Sequence, residues 1–207
     1  MKAEASDLLS LPLDRIAVVL VDFQNDFCSP QINQEHPANT NNEVAARLAN
    51  EFAAKASELG AHIIYTQQLL NWETMPPRQR RWERPDGLCA EGSWGAELYL
   101  PPVPGSTVVV KRRFDCWQSE EFTSELDRLD VDGLIICGVE LVCCVLYAVL
   151  GASERGYHYL IPTDLISGQD FGDATDNLAV RDFLRHNRPE RLTDSQSLLA
   201  AWSQSSS

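Results

Sequence analysis

The sequence predicts an α/β protein with a Rossmann-like, doubly wound parallel sheet of six strands and helices on both faces. Short apolar runs alternate along the chain with segments whose apolar residues recur at helical spacing, and this alternation is typical of such folds. The first run, at 16–21, is apolar throughout, as expected for a parallel strand covered on both faces. The 207 residues show no internal repeat and no linker-like segment, so we expect a single domain over 1–207.

The individual elements follow from apolar periodicity and from the residues that end each segment. Strands are predicted at 16–21, 61–66, 107–110, 133–138, 157–162 and 191–193. Helices are predicted at 41–59, 119–129, 141–155 and 173–186, and a segment at 198–202 closes the chain. Gly60 and Gly156 end two of these helices, and Ser119 is a suitable N-cap for the second. The stretch 68–105 is rich in Pro and Trp with little periodicity, so we expect an ordered covering loop.

Composition excludes several classes of partner. The formal net charge of −13 argues against nucleic acids, which favour basic surfaces, and against anionic membrane surfaces. No apolar run reaches the roughly 18 residues of a membrane helix, and the start of the chain lacks the apolar core of a signal peptide. The six cysteines show no disulfide-framework spacing. We therefore expect a cytoplasmic protein with reduced thiols.

Three ionisable residues are predicted at or just after the carboxyl ends of strands, where open α/β sheets bind their ligands. Asp22 follows the first strand, Lys111 follows the third, and Cys144 comes shortly after the fourth. Each has an ordinary structural interpretation: a turn residue, a solvated strand end and a packing cysteine, respectively. Together they form a chemically coherent set, because a lysine and a helix N-terminus favour a thiolate and a carboxylate can accept the thiol proton.

Three segments of the sequence resemble one known family. IAVVLVDFQNDF at 16–27, KRRF at 111–114 and CGVELVCCV at 137–145 are similar to the first strand, the lysine segment and the nucleophile segment of isochorismatase-like cysteine hydrolases. The resemblance covers about residues 14–200. It implies a six-stranded parallel sheet of order 3-2-1-4-5-6, no cofactor, and a homodimer or homotetramer.

The resemblance also implies roles for individual residues. The amidase members of this family use an Asp-Lys-Cys triad, which places the base at Asp22, the cation at Lys111 and the nucleophile at Cys144. The spacing from Gly138 selects Cys144 over its neighbour Cys143. The family's cis peptide would fall at Val139-Glu140, and the backbone N–H groups of Glu140 and Cys144 would then form an oxyanion hole.

Some positions depart from the family pattern. The nicotinamidase branch binds a metal through Asp and His after the second strand, where this chain has Gln68 and Leu70. We therefore expect no catalytic metal. Glu140 stands where members of the family commonly have a small or hydroxyl residue, and its role is left open. The stretch at 89–98 resembles a segment of members that act on ureido and carbamoyl compounds.

Aromatic and basic residues provide further candidates for substrate contact. Phe27, Trp72 and Trp117 are candidate pocket walls, although core packing explains them equally well. Four arginines, interleaved with Trp82, form a basic patch that suits either a solvated face or the capture of an anionic substrate: Arg78, Arg80, Arg81 and Arg84. The four histidines are scattered and lack the spacing of a zinc site.

The sequence therefore favours a metal-independent hydrolase that cleaves a small amide, such as a ureide or an N-carbamoyl compound, through a thioester on Cys144. Two alternatives stay open. The first is a vinyl-ether hydrolase of the isochorismatase type, in which Asp22 is a general acid and the thiol is dispensable. The second is a non-catalytic binding protein on the same fold.

Overall fold

A computed structural model describes residues 5–31, 40–166 and 174–205. Its strands are β1 (Ile16–Val21), β2 (His62–Gln68), β3 (Thr107–Lys111), β4 (Gly133–Gly138), β5 (His158–Pro162) and β6 (Leu192–Thr193). Its α-helices are α1 (Ala5–Leu9), α2 (Asn25–Cys28), α3 (Thr40–Glu58), α4 (Glu120–Leu129), α5 (Leu146–Glu154), α6 (Ala174–Asn187) and α7 (Ser195–Ser205). No helix within these ranges is both long and apolar enough to cross a membrane.

The six strands form one parallel sheet of order β3-β2-β1-β4-β5-β6. This confirms the predicted fold and strand order. Every residue of β1 and of β4 is buried, because these strands lie in the middle of the sheet and helices cover both faces. The apolar run that predicted the first strand is therefore a consequence of its central position.

The register brings four strand ends to one edge of the sheet. Val21, the last residue of β1, lies opposite Thr66 of β2 and opposite Gly138 of β4. Two residues further along, Gln68 of β2 lies opposite Lys111 of β3. Polar side chains that follow β1, end β2 and β3, or follow β4 are thereby gathered at this edge.

Residues 69–106, which we call the covering segment, contain short helical turns at Gln79–Arg81 and Trp94–Ala96 and two isolated β-bridges, Leu70 with Ala90 and Leu98 with Gln24. Side chains that follow β1 hold this segment in place. The buried Gln24 donates through Nε2 to the carbonyls of Gln68 and Ala96, at 2.9 and 2.7 Å. Asp26 accepts from the backbone N–H of Cys89 at 2.6 Å. The segment is ordered, as the sequence predicts, because the turn after β1 supplies polar anchors.

Several boundaries differ from the sequence-based predictions. β2 continues to Gln68 rather than ending at residue 66, because its last residues pair with β3. The helix predicted at 141–155 starts as a wider π-helical turn, Leu141–Val145, and becomes α-helical at Leu146. The short helices α1 and α2 were not predicted. The predicted start of a helix at Asp173 lies outside the described residues.

Candidate active site

Three side chains from three separate elements meet at this edge of the sheet. Nζ of Lys111, at the end of β3, lies 2.7 Å from Oδ2 of Asp22, which follows β1. The same Nζ lies 3.5 Å from Sγ of Cys144, in the π-helical turn after β4. All three residues are almost completely buried. We call Asp22, Lys111 and Cys144 the triad.

The Asp22 carboxylate is oriented by a second strand. Oδ1 accepts a hydrogen bond from the Thr66 hydroxyl at 2.7 Å, and the backbone N–H of Asp22 donates to the same hydroxyl oxygen at 3.2 Å. Asp22 also has a positive φ of 54°, a conformation that is uncommon outside glycine. Oδ2 faces Lys111. One carboxylate oxygen of Asp22 therefore binds Thr66 and the other binds Lys111.

The ammonium group of Lys111 is surrounded by hydrogen-bond acceptors. Besides Asp22, its Nζ donates to Oε1 of Gln68 at 3.0 Å and to the carbonyls of Arg113 and Phe114 at 2.9 and 3.3 Å. Burial by itself lowers the pKa of Lys111, but the attraction of Asp22 and of the Cys144 sulfur outweighs it and raises the pKa to about 12. The site thus holds a permanent positive charge at neutral pH.

Two adjacent thiols behave differently. A hydrogen bond with Cys144 lowers the pKa of Cys143 to about 7, with Lys111 contributing in the same direction. The hydrogen bond with Cys143, then burial and the negative charge of Asp22, raise the pKa of Cys144. Cys143 is only half-buried, whereas the Cys144 sulfur lies against Lys111. The contact with Cys143, burial and Asp22 thus all disfavour the Cys144 thiolate, so a group that accepts the thiol proton would assist its attack on a carbonyl.

The turn after β4 depends on Gly138. It has a φ of 136°, and a Cβ atom there would lie 2.2 Å from the carbonyl oxygen of Val21. A cis peptide bond joins Val139 to Glu140, at the position that the family resemblance implied. The Glu140 side chain is buried and its Oε1 accepts from Nδ2 of Asn42 at 2.7 Å. The oxyanion role of the Glu140 and Cys144 N–H groups stays a prediction.

The structure places the three predicted aromatic walls in different surroundings. Phe27 is half-buried against the core, and its carbonyl accepts from Asn42. Trp72 lies under the guanidinium of Arg80, 5.5 Å from ring centre to carbon. Trp117 packs inside the core, where its indole N–H donates to the carbonyl of Ala148 at 3.0 Å. None of the three makes a hydrogen bond or ring contact with the triad, so their substrate-binding role stays a prediction.

A cleft of about 500 Å³ opens beside the triad. Its lining includes Gln68, Arg78, Trp82, Arg112, Arg113 and Phe114. The covering segment forms one wall, and the residues directly after β3 form the other. The cleft reaches the triad through Gln68, because the triad side chains do not themselves line it. Gln68 contacts Lys111 and lies 3.8 Å from Sγ of Cys144 through Oε1.

Sequence reasoning missed Thr66, Gln68 and Gln24. Gln68 stands where the nicotinamidase branch has a metal ligand, and its place at the end of a strand depends on the pairing of β2 with β3. Thr66 and Gln24 gave a weaker signal, since their importance depends on strand pairing and on the covering segment. Across the described parts of the chain, no three His, Cys, Asp or Glu side chains converge in a way that could hold a metal ion.

Comparison with known proteins identifies the family. The family described as "Isochorismatase domain" matches residues 16–182. Among curated proteins, ureidoacrylate amidohydrolase RutB of Azorhizobium caulinodans is 28% identical over 161 residues, which are 66% of this chain and 69% of that protein.

Solved structures share the fold at lower sequence identity. A cysteine hydrolase from Pseudomonas syringae pv. phaseolicola has a TM-score of 0.82 and 19% identity, with 99% of each chain covered. N-carbamoylsarcosine amidase from Thermoplasma acidophilum has a TM-score of 0.69 and 18% identity, with 87% of this chain and 96% of that chain covered. At these identities, the similarity establishes the arrangement of the chain only.

Proposed function

The chain belongs to the isochorismatase family, and from this premise we propose that it is a hydrolase that cleaves a small-molecule amide through a thioester on Cys144. The observation that carries the proposal is the contact of one buried lysine with both a carboxylate and a thiol, at 2.7 and 3.5 Å. An acid–base group and a nucleophile held in this way are the components that acyl transfer requires.

The first half of the proposed reaction forms the thioester. Asp22 accepts the Cys144 thiol proton, and the sulfur attacks the carbonyl carbon of the amide. The negative charge that develops on the carbonyl oxygen is stabilised by the backbone N–H groups of Glu140 and Cys144, an effect worth about 3–4 kcal/mol in known hydrolases. When the C–N bond breaks, Asp22 returns its proton to the leaving nitrogen, and an amine or ammonia departs.

The second half regenerates the thiol. Water attacks the thioester carbonyl while Asp22 accepts a proton from the water, and the C–S bond then breaks. The proton passes from Asp22 to the sulfur, and the acid product leaves. Lys111 keeps Asp22 oriented and offsets the negative charge that alternates between the carboxylate and the sulfur. With its pKa raised to about 12, this lysine stays in its ammonium form at neutral pH.

The substrate class in this proposal is a ureide or an N-carbamoyl compound. The name of the curated relative refers to ureidoacrylate, and that of one structural neighbour to N-carbamoylsarcosine. Both names describe molecules with a carbonyl between two nitrogens. The stretch at 89–98, which resembles members acting on such compounds, belongs to the covering segment.

The direct test is a panel of small amides, ureides and N-carbamoyl compounds scored for ammonia release. For any compound that is turned over, intact-mass measurement on rapidly quenched enzyme is expected to show an acyl adduct, and peptide mapping is expected to place it on Cys144. An active compound whose turnover survives Cys144→Ala but not Asp22→Asn would instead support vinyl-ether-type chemistry. The absence of turnover and of any acyl adduct on Cys144 across the whole panel would favour a non-catalytic binding protein.

A further inference from the structure

The cleft beside the triad has the opposite charge balance from the chain as a whole. The full sequence carries a formal net charge of −13, yet the ionisable residues that line the cleft are three arginines and one glutamate, Glu83. These guanidinium groups give the cleft a local positive potential within an otherwise acidic protein, and such a potential attracts an anionic ligand.

One of the three arginines already forms an ion pair within the protein. Arg112 binds both carboxylate oxygens of Glu91, at 3.0 and 3.2 Å, and also the carbonyl of Leu69. Within the described residues, Arg78 and Arg113 have no ion-pair partner and their side chains make no hydrogen bond. Arg113 is also adjacent to the triad through its backbone, since its carbonyl accepts from Nζ of Lys111 at 2.9 Å.

The amide of Gln68 adds an uncharged hydrogen-bond donor to the cleft. Gln68 is 3% exposed and lines the cleft. Its Oε1 must face Lys111, because an ammonium group can only donate. The Nε2 group is therefore left as a donor, and it has no hydrogen-bond partner among the described residues. This donor can bind a group of a ligand or a water molecule.

We propose that the cleft binds a carboxylate of the substrate, with Arg113 as the principal partner and Arg78 adding positive charge from the opposite wall. Gln68 Nε2 donates to an oxygen of the same carboxylate, from the side of the cleft that is nearest the triad. This inference rests on the proposed function and narrows its substrate class to acidic ureides or N-carbamoyl acids. A planar guanidinium is well suited to this task, because it binds a carboxylate through two parallel hydrogen bonds.

The test measures binding without turnover, in protein that carries Cys144→Ala. The probes are N-carbamoylglycine and its methyl ester, which differ in the carboxylate charge, and dissociation constants are measured by calorimetry. We expect the acid to bind at least about tenfold more tightly than the ester, as is typical of a charge-assisted contact. Adding Arg113→Gln is expected to remove that preference. Adding Arg81→Gln, an exposed arginine outside the cleft, is expected to leave it unchanged.

A charge-preserving variant controls for the possibility that Arg113→Gln acts by disturbing the fold. Arg113→Lys keeps the charge but loses the two-pronged geometry, so it is expected to retain part of the preference. Equal binding of acid and ester, a preference that survives Arg113→Gln, or no binding of either probe would overturn the inference. Because protein without the Cys144 thiol cannot form the thioester, these results are independent of the proposed chemistry. That chemistry is tested separately by the acyl adduct on the unmodified enzyme.

Discussion

Nζ of Lys111 lies 2.7 Å from Oδ2 of Asp22, although β2 separates the two strands that carry these residues. Two strand spacings amount to about 10 Å, and the extended lysine side chain crosses them over the end of β2. The contact is shielded from bulk solvent, since both side chains are buried. Each charge therefore depends on the other, because an unpaired buried charge is strongly unfavourable.

This dependence predicts that Lys111→Met destabilises the protein more than the double variant Asp22→Asn/Lys111→Met. The single change leaves a buried carboxylate without its cation, at a cost of about 3–5 kcal/mol. The double change removes both charges and is expected to recover most of that loss. Urea unfolding of the two variants and of the unmodified protein measures the difference. Equal stability of the single and double variants would contradict this account.

The adjacent cysteines allow a matched test of the nucleophile. Cys144→Ala is expected to lower kcat by at least about 10³-fold, because the attacking atom is lost. Cys143→Ala removes the same atoms one residue away and is expected to keep kcat within about tenfold, since a neighbouring contact rather than the nucleophile is lost. Initial rates on the best compound of the panel measure both. A greater loss of kcat from Cys143→Ala than from Cys144→Ala would show that Cys143, and not Cys144, is the nucleophile.

Apolar runs predicted which segments are strands, and the positions of Asp22, Lys111 and Cys144 at or just after strand ends predicted that they share one edge of the sheet. The strand order was predicted from the resemblance to the isochorismatase-like family. Gln68 escaped prediction for a physical reason. Two successive glutamines look like loop, and only the pairing of β2 with β3 makes them strand. The residues that line the cleft could not be predicted, because the apolar residues of the covering segment do not recur at helix or strand spacing. The path of this segment depends instead on hydrogen bonds to polar side chains that follow β1.

The pH dependence of thiol labelling follows from the interaction between the two cysteines. Cys143 is expected to react with iodoacetamide with a midpoint near its pKa of about 7. The hydrogen bond from Cys144 stabilises the Cys143 thiolate, so its loss in Cys144→Ala must raise the pKa. The midpoint is then expected to move toward the ordinary cysteine value of about 8.5. Peptide mass spectrometry across a pH series measures both midpoints, and an unchanged midpoint would exclude this hydrogen bond as the cause.

Gly95 tests how the covering segment is held. A Cβ atom at this position would lie 2.0 Å from Oδ1 of Asp26, so Gly95→Ala must displace the carboxylate that accepts from the Cys89 N–H. We expect a loss of about 1–3 kcal/mol in the free energy of unfolding, as is typical of overpacking. We also expect a lower kcat/KM, because the same segment carries one wall of the cleft.

The control for Gly95→Ala is Asp26→Ala, which removes the anchor itself. If the clash with Asp26 is the cause, the double variant Gly95→Ala/Asp26→Ala is no less stable than Asp26→Ala alone, because the obstructing carboxylate is already gone. Residues in direct contact are expected to show such non-additivity. Strictly additive losses in urea unfolding would show that Gly95 matters for another reason. In that case, the contact between Gly95 and Asp26 would not be the reason that the covering segment requires glycine at this position.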